Sequence, residues 1–355
     1  MSEPTDDITI GWDVGGAHLK AARIEADSRV AMVWQESCPL WRGPEHLHAA
    51  LDRILAGNAV WPGSPRYHAV TMSGEMTDLF ATRKDGVHAL VELLCRRLGS
   101  GDVRFYAGAE GWLDGASARL HPYQVASANW RATADLVAAH LGEALLVDIG
   151  STTTDIVPLR GHAVATASAS DSDRLAAGEL VYTGIARTPV MALSAEAPVA
   201  GRWVPLMAEH FATSADVHRI LGGLPDGADL HDSADGGPKT VEASRARLAR
   251  MVGRDAGDLS DAAWTELAAW FADAQLERIG RAIRQVLSRV QIDPHAPLVM
   301  AGAGAFLGPR LAARSGRPVL NFSQLPIAGS LVEHIDWCAP AVAAGLLLAG
   351  EKSCC

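Results

Sequence analysis

Asp13-Val14-Gly15-Gly16-Ala17-His18-Leu19-Lys20 is echoed 135 residues later by Asp148-Ile149-Gly150-Ser151-Thr152-Thr153-Thr154-Asp155. Each stretch follows a short apolar run, Ile8 to Trp12 in the first copy and Ala144 to Val147 in the second. Each precedes another, Leu19 to Ile24 and Ile156 to Leu159. Apolar run, glycine-bearing turn, apolar run reads as strand, Gly turn, strand. One reading is a pair of ordinary hairpins whose Gly and Thr serve turn geometry and β propensity. Turn chemistry gives no reason to repeat the aspartate, however, and the repeat points to two facing phosphate loops.

The glycines at 15, 16 and 150 are expected to take positive φ and to bring consecutive N–H groups close to an anion. Ser151, Thr152, Thr153 and Thr154 add hydroxyl donors, and Lys20 is a compact charge suited to a phosphate oxygen. Asp155 holds the equivalent place in the second copy. Asp13 and Asp148 end their strands just before the glycines, where a carboxylate repels phosphate unless a hard cation intervenes. That implies a metal site at Asp13 and Asp148, with Mg²⁺ and several retained waters as the natural occupant. A third segment, Leu298-Val299-Met300-Ala301-Gly302-Ala303-Gly304, is an apolar strand running into a small-residue turn.

A chain of 355 residues that is 48% hydrophobic can bury a large core, and its length suggests two lobes around a cleft. A net charge of −10 argues against nucleic acid or an anionic membrane as the main partner. Residues 1–7 lack the basic and apolar regions of a signal peptide, and no apolar stretch reaches the roughly 20 residues needed to cross a bilayer. A cytoplasmic location is the expectation. The five cysteines are odd in number, scattered and without paired metal-ligand spacing, so reduced thiols are expected. Cys354-Cys355 reads as a redox handle or as a frayed terminus.

Strand-like and helix-like segments alternate, as in an α/β fold. Residues 8–12, 19–24 and 30–35 predict an antiparallel meander, followed by a helix near 45–56 and a strand over 67–73. Helix 88–98, strand 103–107 and a Gly-rich connection at 108–118 come next. A helix opens near Asn129, a good N-cap residue, and runs to about His140. Further on, the spacing predicts a strand near 179–183, an exposed loop over 222–240 and helices at 241–252, 260–271 and 273–290. Trp264 and Trp270 read as core. The apolar stretch Pro340 to Ala349 predicts a buried helix against the first lobe. The expected organisation is a first lobe over 1–140, a second over 141–325 and a returning segment over 326–355.

With these residues assembled, the chain resembles the hydantoinase A-like branch of the actin/Hsp70/sugar kinase superfamily. Within it, the chain is most similar to the family linked to tetrahydromethanopterin-dependent C1 transfer. Carrying the resemblance are the two Asp loops, Val70-Thr71-Met72-Ser73-Gly74-Glu75, Ser127-Ala128-Asn129-Trp130, Gly178 to Gly184 with Arg187, and Ala234-Asp235-Gly236. His18 stands where the family more often has Asn. The resemblance implies an α/β, actin-like ATPase (ribonuclease H-like) duplicated fold with two lobes around a central cleft. Its third Gly turn, with Gly302 and Gly304, lies against the nucleoside in members that use ATP. It also implies a transferase of methanofuran- or methylofuran-type cofactor biosynthesis. The reaction would condense an aminomethylfuran-methyl diphosphate with the phenol of a tyramine or tyrosine derivative and release diphosphate.

That chemistry suits the residues. Breaking the furfuryl C–O bond puts negative charge on the leaving diphosphate, where loop amides, Lys20 and Mg²⁺ would act. A phenol with an ordinary pKa of about 10 needs help to lose its proton, and Glu75 and Asp78 are the candidate bases. Either acid also reads as a cap for the segment that follows. Asn129 is a helix cap or a substrate contact. Arg187 pairs with Glu179 or holds a phosphate or carboxylate, and Asp235 forms a turn or touches substrate. The competing activity on the same scaffold is an ATP-dependent small-molecule kinase or hydantoinase-like ring opening, with ATP as cofactor. The only Asp between 103 and 130 is Asp114, in the Gly-rich connection, which weakens the kinase option. A noncatalytic nucleotide sensor would need a partner surface or a basic DNA-binding segment, and neither is visible.

Overall fold

The run Ile8 to Val14 forms β1 (Thr9–Val14), buried at every residue. β2 (His18–Ile24) and β3 (Val30–Ser37) follow it in the expected antiparallel meander. A strand with no exposed residue must be covered on both faces. Ile10, Trp12 and Val14 share a core with Leu47 and Leu51 of α1 (Glu45–Ala56) and with Val87 and Leu94 of α2 (Arg83–Arg97). The opposite face carries Gly11, and the C-terminal helix Ala339–Ser353 rests on it. The computed structural model describes residues 7–56, 65–99, 101–168, 170–329 and 332–353, so Cys354 and Cys355 lie outside the described residues. The chain divides into two compact units, Met1–Gly142 with Leu159–Val164 and Asn321–Cys355, and Glu143–Pro158 with Ala165–Leu320.

In the first unit, β4 (Tyr67–Met72) lies parallel to β1 and β5 (Asp102–Tyr106) parallel to β4. β6 (Trp112–Leu113) pairs antiparallel with β5, giving the order β3-β2-β1-β4-β5-β6. Three expectations are corrected here. α2 starts at Arg83, not near 88, because Thr82 accepts the Asp85 N–H and fixes the cap. The 108–118 connection holds β6 and α3 (Gly115–Leu120), whose cap is Asp114, accepting the Ser117 N–H at 2.7 Å. α4 (Pro122–Val125) then leads to α5 (Asn129–His140), capped by Ala128 and not by Asn129. The Asn129 Oδ1 instead accepts the Trp130 N–H at 2.9 Å.

The C-terminal helix sits on the sheet because two glycines allow it. A Cβ on Gly11 would lie 2.6 Å from the Gly345 nitrogen and would overlap the Ala341 carbonyl oxygen. These are backbone atoms and cannot rotate aside. Gly11→Ala is therefore expected to cost about 1–3 kcal/mol, toward the upper end, and to lower the urea midpoint without changing the slope. An unchanged midpoint would mean that this face does not bear the helix. On the other face of β1 the Trp12 indole donates to His68 Nδ1 at 3.1 Å, and burial pushes the His68 imidazole down to about 4. It is neutral at pH 7.

The second unit repeats the arrangement. β7 (Glu143–Ile149) and β8 (Thr154–Arg160), whose end and the short β9 (Ala163–Val164) paired with it count with the first unit, are followed by α6 (Asp171–Ala177) and β10 (Leu180–Val181). A hairpin of β11 (Glu196–Val199) and β12 (Arg202–Pro205) precedes α7 (Ser214–Ile220), α8 (Val241–Met251) and α9 (Asp261–Arg289). β13 (Leu298–Ala301), α10 (Gly308–Ser315) and β14 (Val319–Asn321) complete it. The order is β10-β8-β7-β13-β14, with β13 parallel to β7. β7 thus holds the place of β1, β8 that of β2 and β13 that of β4. Asp13 and Asp148 are each the last but one residue of the central strand.

The helices expected at 260–271 and 273–290 are one 29-residue helix, α9. Ala272-Asp273-Ala274 contains no breaker, and the apolar stripe of Trp264, Leu267 and Phe271 continues through Leu276, Ile279, Ile283 and Val286. Trp264 and Phe271 pack with Val217, Leu248 and Met251 in a core of their own. Trp270 is partly buried, edge to face with Trp203. Residues 222–240 form the expected loop, tied to α7 by the Arg219–Asp229 ion pair at 2.6 Å. Among the described residues no helix is long and apolar enough to cross a membrane.

Candidate functional site

In the first loop, Lys20 stands directly across the ladder from Asp13, with its Nζ 3.8 Å from Oδ2. Asp13 is buried, so the cation nearest its carboxylate is supplied by the same hairpin. The turn closes when the Gly15 N–H donates to the His18 carbonyl at 3.0 Å. The Gly16 and Ala17 carbonyls accept from Leu40 and Cys38, at 3.0 and 2.9 Å. In a trans peptide the N–H points opposite to the carbonyl before it, and among the described residues no peptide bond is cis. The Ala17 and His18 amides therefore face away from the 38–40 segment. The expected positive φ is found at none of Gly15, Gly16 and Gly150. What the first loop needs is small size, since a Cβ on Gly16 would lie 2.8 Å from Thr77 Cγ2. The nearby Cys338 thiol donates to the Trp34 carbonyl. Burial pushes it up to about 12, with Lys20 opposing and Asp13 adding, so it stays protonated.

The second loop closes the same way, the Gly150 N–H donating to Thr153 O at 2.9 Å. Its carbonyls are held by a turn that sequence reasoning did not connect with it. Gly150 O accepts from Ile185 at 3.0 Å, and Ser151 O accepts from Ala186 and Arg187 at 3.1 and 2.9 Å. By the same peptide geometry the Ser151 and Thr152 amides point away from this turn, side by side, as an anion-binding pair requires. Gly184 makes the contact possible, because a Cβ there would lie 2.5 Å from the Thr152 nitrogen. From the third segment, the Gly304 N–H donates to Ile149 O at 2.8 Å. Gly302, at φ +78°, brings its Cα against the Asp148 carboxylate, where any Cβ would overlap Oδ1.

A buried relay fixes the 183–188 turn. The Gln275 amide donates to Thr183 Oγ1 at 3.0 Å and to Gly184 O at 2.8 Å, while its carbonyl lies 2.8 Å from His218 Nε2. Thr154 donates to Thr183 O at 2.7 Å, and Thr188 both donates to and accepts from the Gly184 backbone. Burial lowers the His218 pKa, which keeps it neutral. A buried polar network with its partners in place imposes one backbone course. The signal for it was legible. Gln275 is a polar residue between Phe271 and Ile279 on the apolar stripe of α9.

Arg187 leaves this turn half-buried beside the exposed Tyr182, and burial pulls its pKa down while Tyr182 pulls it up. The alternative pairing with Glu179 is not found, because Glu179 takes Arg289 and the Thr166 hydroxyl. Asp155 is bound by the buried Arg174 at 2.8 Å, an ion pair within the sheet edge. Asp235 lies in the 233–237 turn. Desolvation raises its pKa, but the Gly237 N–H, Arg250, Arg247 and Ser233 outweigh it and hold the carboxyl at about 2. These bonds give it the work of a turn former.

Glu75 lies in the 3-10 turn Gly74–Met76 at the end of β4 and is 1% exposed. Ser127 donates to its Oε1 at 2.9 Å, which brings together the 73–78 segment and the start of α5 with Asn129. Asp78, three residues on, is exposed. The two candidate acids thus have opposite environments. Among the described residues, no group of three or more His, Cys, Asp or Glu could by itself hold a metal ion. An ion bound through fewer carboxylates and retained waters is a different arrangement.

Residues 66–328 match the Hydantoinase/oxoprolinase family. The (4-{4-[2-(gamma-L-glutamylamino)ethyl]phenoxymethyl}furan-2-yl)methanamine synthase of Methanocaldococcus jannaschii is 29% identical over 299 residues, covering 84% of this chain and 86% of that protein. The protein of the same name from Methanococcus vannielii is 32% identical over 116 residues, 33% of this chain and 52% of that protein. Among solved structures, nucleotide-free acetone carboxylase matches with a TM-score of 0.54 at 9% identity, over 96% of this chain and 70% of that one. At such identity the likeness speaks for fold alone. With the duplicated sheet order, it makes the chain an α/β protein of the actin-like ATPase, ribonuclease H-like fold.

Proposed function

The chain belongs to the hydantoinase/oxoprolinase family, and on that premise we propose that it is a transferase forming an aryl ether in the synthesis of a methanofuran- or methylofuran-type C1 carrier. Its substrates are an aminomethylfuran-methyl diphosphate and the phenol of a tyramine or tyrosine derivative. The likeness to the Methanocaldococcus jannaschii synthase carries this reading, because the compound after which that enzyme is named contains a phenoxymethylfuran ether.

The phenol oxygen attacks the furfuryl carbon, the bond from that carbon to the diphosphate oxygen breaks, and its electron pair leaves with diphosphate. The phenol proton passes to a base, for which buried Glu75 is better placed than exposed Asp78. The furan oxygen shares the positive charge left on carbon. Amides and hydroxyls of Ser151, Thr152 and Thr153, and in the first loop the Gly16 amide and Lys20, take phosphate oxygens, while the Gly15 and Gly150 amides close the two turns on His18 and Thr153. Asp13 and Asp148 are the loop carboxylates that would hold Mg²⁺, and the ion would supply further positive charge for the leaving group. Asn129, Arg187 and the Gly302–Gly304 turn contact the organic part of the substrates, and Asp235 shapes its own 233–237 loop.

The test is to mix the protein with the furan-methyl diphosphate, Mg²⁺ and either tyramine or tyrosine, without ATP. Diphosphate release matched by ether formation in the mass spectrum is expected. No turnover with either acceptor overturns the proposal. ATP hydrolysis stimulated by a small hydroxyl compound or a cyclic amide would place the protein with kinases or hydantoinase-like enzymes instead.

A further inference from the structure

We propose that Ser127 is a positioning residue for Glu75, held in a left-handed backbone conformation so that its hydroxyl orients the carboxylate. The inference rests on the aryl-ether reading with Glu75 as base. Ser127 has φ +52°, a region that L residues other than Asn and Asp seldom enter and where glycine sits without strain. A serine there calls for a use of its hydroxyl. Capping the helix that follows is not that use, because α5 is capped by Ala128 with no side-chain hydrogen bond. The hydroxyl instead donates to Glu75 Oε1 at 2.9 Å, across 52 residues of sequence.

The other side of Glu75 is fixed as closely. Gly86, in the first turn of α2, leaves room for the helix against the Glu75 backbone, where a Cβ would lie 2.6 Å from the Glu75 carbonyl oxygen and 2.8 Å from its Cα. With the backbone clamped by α2, the carboxylate's remaining freedom is rotation about its side-chain bonds. The Ser127 hydroxyl restrains that rotation. Backbone strain that the surroundings over-determine is found at sites where placement matters for chemistry.

Ser127→Gly separates this role from a structural one, because it removes the hydroxyl and relieves the backbone together. The expected result is a melting temperature equal to or above that of the unsubstituted enzyme, a kcat lower by about tenfold or more, and a KM for the furan diphosphate unchanged within about twofold. Ser127→Ala, which keeps the strain, is expected to lose kcat equally. A Ser127→Gly enzyme with normal kcat overturns the proposal. So does a loss of kcat matched in both variants by a lower melting temperature, which would mark Ser127 as structural. Glu75→Gln run alongside tells the two ideas apart. If it is inactive while Ser127→Gly is normal, only the positioning role fails; if it is fully active, Glu75 is not the base and both fall. No turnover in the unsubstituted enzyme ends both as well.

Discussion

Asp148→Asn is expected to lower turnover by about 10²- to 10³-fold, the order lost when one group that stabilises transition-state charge is removed. The substitution is nearly isosteric, and the carboxylate lies against a glycine Cα, so the fold has little reason to change. The sign of the accompanying change in diphosphate affinity is decisive. A carboxylate beside a polyanion repels it, and without a metal its removal must tighten diphosphate binding. If the carboxylate instead holds Mg²⁺, its removal must weaken diphosphate binding and raise the Mg²⁺ concentration needed for half-maximal rate. Isothermal titration of diphosphate with and without Mg²⁺ reads this directly, and tighter binding in the variant would contradict the metal assignment. Asp13→Asn gives a second reading of the same question. There Lys20, 3.8 Å across the hairpin, loses its partner and becomes more available to phosphate, so the loss of turnover is expected to be smaller than at Asp148.

What the sequence disclosed is what is encoded locally. Alternating apolar runs and repeated Asp-Gly turns were enough to place the central strands, the antiparallel meander and the apolar C-terminal helix, because each depends on a pattern within about ten residues. The errors at the site share one physical source, whereas the starts of α2 and α3 and the unbroken α9 rest on local caps and a stretch without a breaker. Gly15, Gly16 and Gly150 suggested positive φ, yet Gly16 is small because Thr77 packs against it, and Thr77 is distant in sequence. Asn129 has the side chain of an N-cap, but the φ of Ser127 moves the helix start so that Ala128 takes that role. The close backbone approach of Gly11 and Gly345, far apart in sequence, was not read at all. The contact of Gly184 with the second loop and the reach of Gln275 to the same turn exist only once the chain is folded. The candidate site was legible as a set of loops and not as the tertiary supports that aim them.

Those supports bear most directly on Glu75, and Glu75→Gln is expected to lower kcat by about 10²- to 10⁴-fold, the range attributable to general base catalysis. Glutamine keeps the volume and can still accept from Ser127, so the melting temperature should move little. Asp78→Asn, at an exposed position, is the control and is expected to leave kcat within about twofold, since surface acids seldom contribute to chemistry. A reduced rate alone would not prove proton removal, because loss of a carboxylate that only orients the acceptor lowers the rate as well. Acceptor acidity separates the two. An unsubstituted tyramine phenol, with a pKa of about 10, must give up its proton to react. A tyramine carrying ring fluorines loses that proton more readily and depends less on a base. The defect of Glu75→Gln should therefore shrink steadily as fluorines are added, and shrink further as pH rises toward the phenol's own pKa. An orienting carboxylate predicts the same defect with every acceptor at every pH. A constant defect would move the base assignment away from Glu75 and leave it a binding residue.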